Sequence, residues 1–154
     1  MGLFTFTATH SMSRAYDAIL CDTLPNAIRK YTEWDYICTK TDGGYFLKPT
    51  FRNMPYRNSF VPEIDITVSQ KDSQTVLRMQ GQPVAFVSLF MIIWIALALS
   101  MVIPALLVTF TSGGDNLFFV FIPIVLGMFG YLLCKIATRK TFHSIVRAIQ
   151  KEFL

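Results

Sequence analysis

Residues 83–110 read Pro-Val-Ala-Phe-Val-Ser-Leu-Phe-Met-Ile-Ile-Trp-Ile-Ala-Leu-Ala-Leu-Ser-Met-Val-Ile-Pro-Ala-Leu-Leu-Val-Thr-Phe, without one Asp, Glu, Lys, Arg or His. A hydrocarbon layer about 30 Å thick is crossed by roughly 20 helical residues, so this run spans it with room for tilt. A second uncharged run, residues 117–134, follows the polar link Thr-Ser-Gly-Gly-Asp-Asn at 111–116. The two runs are expected to form a transmembrane helical hairpin. A soluble fold would have to bury both under polar chain, and 154 residues supply too little of it.

Charge is distributed unevenly. Residues 1–82 carry nine Lys or Arg against eight Asp or Glu, the link carries only Asp115, and residues 135–154 carry five against one. Lys and Arg are retained on the cytoplasmic side of membrane helices, so both termini are expected to be cytoplasmic and the link outside. A basic tail beside a span is explained by topology and anionic lipid, and no nucleic-acid partner is expected. Cys21, Cys38 and Cys134 form an odd set without Cys-x-x-Cys spacing, which reads as reduced thiols in a cytoplasmic setting. Residues 1–9 lack the basic start and long apolar core of a secretory signal. Phe6 stands where a myristoylation motif needs Ser or Thr.

The first 82 residues read as a small α+β domain. Residues 3–9 alternate Phe and Ala against Thr, the period of a half-buried strand. Ser11 and Ser13 offer caps to a helix over 14–21, and Asp22 or Thr23 to a second piece near Pro25 that runs towards Tyr31, a broken helix or two short ones. Four sequential strands then fit residues 34–80 as an antiparallel meander. The first two flank Thr-Asp-Gly-Gly at 41–44, a hairpin turn in which glycine takes positive φ cheaply. Pro62 is expected to place its strand at an edge or a bulge. The expected packing is by Trp34, Tyr36, Tyr45, Phe46, Phe51 and Phe60.

Pro104 and Pro123 fall inside the uncharged runs and are expected to kink them. Ala96 with Ser100, and Gly130 with Cys134, have small-xxx-small spacing, suited to contact within the hairpin or between copies. Beyond Lys135 the tail is amphipathic, with Phe142, Ile145, Val146, Ile149 and Phe153 at helical spacing. Two arrangements fit it. The helix lies among lipid headgroups, which would make Arg139, Lys140, Arg147 and Lys151 membrane-surface residues, or its apolar stripe packs on the small domain.

Tyr-Arg-Asn-Ser-Phe at 56–60, Pro62, the alternating strand after it, Gln-Pro at 82–83, Phe-Met-Ile-Ile-Trp at 90–94 and Gly-Met-Phe-Gly-Tyr at 127–131 together carry a resemblance. The chain resembles a group of small uncharacterised bacterial two-span membrane proteins with a juxtamembrane β-rich segment. The likeness covers residues 34–131 and rests on short motifs. It implies the bacterial inner membrane and supplies no activity.

Residues suited to chemistry are scattered. His10, His143, Cys21 and Cys38 have no ligand-pair spacing, so no metal or other cofactor is expected. No nucleophile and base with an orienting group, and no phosphate-binding glycine loop, can be assembled from the motifs. The one cluster that stands out is Arg52, Asn53, Tyr56, Arg57, Asn58 and Ser59. Its guanidinium forks, amides and hydroxyls suit phosphate, a carboxylate or a lipid headgroup, and the same residues also suit a polar corner bonded to backbone carbonyls. The reading is therefore a membrane α+β protein and not an enzyme. Its cytoplasmic domain binds a partner protein or small anionic ligand and acts through association in the membrane, with itself or another membrane protein. The alternative is an effector, toxin or channel-like oligomer formed by the hairpins, against which the lack of ionisable groups in either run counts.

Overall fold

The computed structural model describes residues 5–12, 21–50, 60–71, 74–111 and 118–153. The chain forms two compact units: Met1–Val84 with Thr138–Leu154, and Ala85–Ala137.

The first unit is built on five antiparallel strands: β1 (Phe6–Met12), β2 (Asp35–Thr41), β3 (Gly44–Thr50), β4 (Pro62–Lys71) and β5 (Gln74–Pro83). Their order is β1-β5-β4-β3-β2, so β2 to β5 form the meander read from the sequence and β1 adds to its open edge beside β5. Alternation sets the inward face. Ile64 pairs with Gly81, Ile66 with Met79 and Val68 with Leu77, while Leu47 and Tyr45 of β3 pair with Ile64 and Ile66. These side chains point one way, and Lys48, Asp65, Thr67, Arg78 and Gln80 between them are exposed.

Two helices supply the apolar cover. Helix α1 (Thr23–Tyr31) buries Leu24, Ala27 and Ile28, and the last turns of α4 (Phe118–Phe153) bury Phe142, Ile145, Val146, Ile149 and Phe153 in the same core. The tail's apolar stripe is thus occupied by protein, the second of the two arrangements that its spacing allowed. Phe142 is fully buried and lies 6.2 Å from Phe6, centroid to centroid. A side chain on Gly81 would collide with the Phe142 ring, its Cβ falling 2.3 Å from Cδ2. The glycine is what lets the helix approach the strand. Burying each such side chain contributes about 1.5–3 kcal/mol.

Several expectations are corrected here. The first strand starts at Phe6 and runs through Met12, so Ser11 is a strand residue and not a helix cap; the helix expected over 14–21 lies outside the described residues, apart from Cys21. The second helical piece is α1, with Asp22 at its N-cap position, where the side chain makes no capping bond and Asn26 Nδ2 instead donates to the Asp22 carbonyl (2.8 Å). Pro62 is in an interior strand, not at an edge. It is the first residue of β4, where a missing N–H interrupts no ladder, and its carbonyl accepts the Tyr36 hydroxyl at 2.7 Å. Burial, with the Glu63 carboxylate as second cause, pushes the Tyr36 phenol well above its ordinary value.

The 41–44 turn is where expected, but neither Gly43 nor Gly44 adopts the left-handed backbone region. Gly44 is needed because a Cβ there would run into the Ile66 carbonyl on β4. The core is more aliphatic than the aromatic reading held. Tyr36 and Tyr45 are buried beside Leu47, Ile64, Ile66, Leu77 and Met79, whereas Trp34, Phe46 and Phe60 are only partly covered and Phe51 lies outside the described residues.

Cys21 and Cys38 are joined by a disulfide, which corrects the reading of both as reduced thiols. The bond ties the chain just before α1 to β2, where Cys38 pairs with the buried Leu47. Cys134 is buried and takes no part in this disulfide.

The second unit contains α2 (Ala85–Ser100), α3 (Val102–Thr111) and the first half of α4. The first uncharged run is interrupted at one residue, Met101, in the turn before Pro104. Pro104 has no N–H to give the carbonyl one turn back, at Ser100, but the helical bonds continue across Met101, whose amide donates to the Leu97 carbonyl and whose carbonyl accepts from the Ala105 amide, each at 3.2 Å. The segments Ala85–Thr111 and Phe118–Phe153 are each long and apolar enough to cross a membrane. They meet through small residues: a Cβ on Gly127 would lie 3.2 Å from Ala98 Cβ, and one on Gly130 would lie 2.7 Å from Trp94 Nε1. Trp94 Nε1 donates to the Leu126 carbonyl at 3.5 Å. Gly130 therefore serves contact within the hairpin, while Ala96 and Ser100 are exposed.

Candidate anion-binding cleft

Helix periodicity places two stripes on the last turns of α4. Phe142, Ile145, Val146, Ile149 and Phe153 face the sheet, so residues offset from them face away: Lys140, His143, Ser144, Arg147 and Lys151, three or four positions apart. Beside that second stripe stands the end of α1, which terminates at Tyr31. The Thr32 hydroxyl and amide both bond to the Ile28 carbonyl and close the helix. Between the two helices is a cleft of about 310 Å3 lined by Tyr31, Lys140, His143, Ser144, Arg147, Ala148 and Lys151.

The lining contains two lysines and an arginine and no carboxylate. Glu152 stands at the edge of the lining, where its carboxylate bonds both Lys30 and the lining residue Tyr31. Lys30 Nζ lies 2.9 Å from Glu152 Oε2, which raises the Lys30 pKa above its ordinary value and lowers that of Glu152, chiefly through this hydrogen bond. Arg29, the other cation of the last α1 turn, faces Asp35 at 3.5 Å. No ion pair among the described residues involves Lys140, Arg147 or Lys151. The Lys151 ammonium sits over the Tyr31 ring, 5.5 Å from its centroid, and the Lys30 ammonium is 5.2 Å from the same ring. The ring thus holds Lys151 at the cleft by cation–π attraction without neutralising it. Arg139 stands at the side of His143, Nε to Nε2 at 3.5 Å.

The arrangement is an exposed, concave set of donors with uncompensated positive charge, suited to holding an anion. Among the described residues no three of His, Cys, Asp and Glu converge as a metal-binding group. Of the residues singled out in the sequence, Lys140, Arg147 and Lys151 line the cleft, and Arg139 is exposed on the same helix. Arg52, Asn53, Tyr56, Arg57, Asn58 and Ser59 all lie outside the described residues. His10 pairs with Gln150, its ring nitrogens 3.0 and 2.8 Å from Nε2. Sequence reasoning missed His143 and Ser144 as cleft residues, although their spacing from Lys140 and Arg147 carried the signal. Tyr31 carried none, since nothing local links it to α4.

Two further grooves, of about 270 and 210 Å3, lie along the hairpin in the second unit. Ala98 and Pro123 line both, with aliphatic and aromatic neighbours and no ionisable group except the Tyr131 phenol.

No family model, no curated protein and no solved structure matches this chain.

Proposed function

We propose that this chain is a two-span integral membrane protein of the bacterial inner membrane, not an enzyme, whose α+β unit binds an anionic ligand and acts through association in the membrane with itself or another membrane protein. One observation carries the ligand: Lys140, Arg147 and Lys151 line one cleft without a carboxylate among the lining residues. The two-span reading is supported by the shared core, because strands that precede the hairpin and the helix end that follows it bury Ile64, Ile66 and Phe142 together. Both chain ends then lie on one side, as an even number of crossings requires. The hairpin's apolar grooves hold no charged group, which weighs against the channel alternative.

Calorimetric titration of the full chain in phosphatidylcholine nanodiscs tests the ligand reading, with inorganic phosphate and citrate as probes. Binding that weakens with added salt, and disappears when Lys140, Arg147 and Lys151 are all replaced by glutamine, is expected. No binding of either probe overturns it.

The cation-rich tail favours an orientation with the α+β unit on the cytoplasmic side. A second orientation, with that unit outside, is favoured by one observation, the Cys21–Cys38 disulfide, since such bonds persist in oxidising compartments. Cysteines introduced singly as Gly114→Cys or Lys40→Cys, in a chain whose native cysteines are serine, separate the two. Under the first orientation an impermeant maleimide labels position 114 in intact cells and position 40 only after lysis. The reverse pattern selects the second.

A further inference from the structure

Resting on the anion reading above, we infer that the cleft between α1 and α4 is specific for a phosphomonoester dianion, centred on Arg147. Side chains three and four positions apart on a helix are neighbours, with Cβ atoms roughly 5–6 Å apart. Arg147 is the one cation in the cleft whose neighbours on both sides are also cleft residues: His143 and Ser144 one turn before it and Lys151 one turn after. A single tetrahedral group over Arg147 is therefore within reach of a guanidinium fork, an ammonium, an imidazole and a hydroxyl. Lys140 adds its charge from the next turn.

The charge count selects the class. A carboxylate or a phosphodiester brings one negative charge, and one cation compensates it; a terminal phosphate brings about 1.5 to 2 charges at neutral pH on three acceptor oxygens. Arg147 and Lys151 match that second charge, and the fork engages two of the oxygens while the ammonium takes the third. Lys151 is held for this by the Tyr31 ring at 5.5 Å, which restrains the ammonium without occupying its charge. Glu152, the carboxylate that would otherwise oppose an anion, is paired with Lys30 at 2.9 Å.

The same phosphomonoester chemistry reaches the cleft either as a soluble metabolite or as a lipid headgroup. The test uses the full chain in phosphatidylcholine nanodiscs titrated with glycerol 3-phosphate and, separately, with dimethyl phosphate. Glycerol 3-phosphate is expected to bind about tenfold or more tightly, the factor an added charge-assisted hydrogen bond corresponds to. Arg147→Gln should abolish the difference between the two ligands at unchanged melting temperature, and Lys151→Gln should reduce it. Phosphatidic acid included in the disc then identifies the source. A weakened apparent affinity for glycerol 3-phosphate, not reproduced by phosphatidylglycerol, assigns the lipid headgroup, and an unchanged affinity assigns the soluble ester. Equal affinities for the mono- and diester, or a preference that survives Arg147→Gln, overturn the inference while leaving the anion reading intact. Loss of all anion binding in the unmodified protein removes both.

Discussion

The two units use the same kinds of side chain in opposite ways. In the first, Leu24, Ile28, Leu47, Ile64, Ile66 and Phe142 are completely buried, because alternating strands and amphipathic helices have one apolar face each and turn it inward. In the second, Phe86, Ile103 and Phe110 are 74%, 66% and 81% exposed, because helices that are apolar all round have no polar face to turn outward. In water that surface would be a severe liability; in a bilayer it is the expected solvent contact. Apolar composition therefore says little until its period is read: period 2 or one-sided 3.6 makes a core, and an unbroken run makes a helix with apolar side chains exposed all round.

The comparison can be broken most sharply at Phe142, where the last helix enters the core of the first unit. Phe142→Ala should cost that unit roughly 3–5 kcal/mol by leaving a cavity against Gly81 and Phe6. Denaturation followed by near-ultraviolet circular dichroism in detergent checks it; a loss below about 1 kcal/mol would mean that α4 contributes little to the core.

Next in size is the disulfide. Replacing Cys21 and Cys38 by serine removes a cross-link between residues 17 positions apart, for which loop-closure entropy gives about 3 kcal/mol. The melting temperature of the untreated wild type should fall to that of the double variant on adding reductant. A wild type insensitive to reductant would show that the bond contributes nothing to stability.

In the hairpin, Gly130→Val forces a side chain into the Trp94 indole and should cost about 1–3 kcal/mol of helix–helix packing. Far-ultraviolet melting should register it, and the near-ultraviolet transition of the first unit should stay in place. Movement of both transitions together would mean that the two units unfold as one.

The smallest effect belongs to Lys30 and Glu152, both solvent-exposed. Glu152 has its carboxyl pKa lowered in the fold, so the pair's contribution is present above the ordinary carboxylate value and is lost as pH falls through the lowered one. Lys30 has its pKa raised, so its share is present below the ordinary lysine value and is lost as pH rises through the raised one. The melting-temperature difference between wild type and Glu152→Gln should be small at neutral pH and vanish towards both extremes. A constant difference across the range would assign the effect to something other than this pair.

Much of this architecture was legible in the sequence because it depends on local period and on the absence of charge. The meander from β2 to β5, the strand at Phe6 and Ala8, α1 and both uncharged helices follow from residues a few positions apart. The interruption at Met101 was legible too, since Pro104 fixes which carbonyl loses its partner. Part of the candidate site could be read the same way, as Lys140, Arg147 and Lys151 share a helix face by spacing alone.

What the tertiary structure decided are pairings between distant residues. Whether the stripe from Phe142 to Phe153 meets lipid or protein is invisible to periodicity, because both are apolar partners; the sheet face left open by Gly81 and Met79 settled it in favour of protein. The union of Cys21 with Cys38 depended on where α1 begins relative to β2, and no spacing rule encodes that. Tyr31 joined the basic stripe because α1 and α4 cover the same sheet face, which places the end of one beside the turns of the other. Helical and strand periods are properties of a backbone repeating every few residues, whereas a cleft between two helices exists only after a shared core has set both against it.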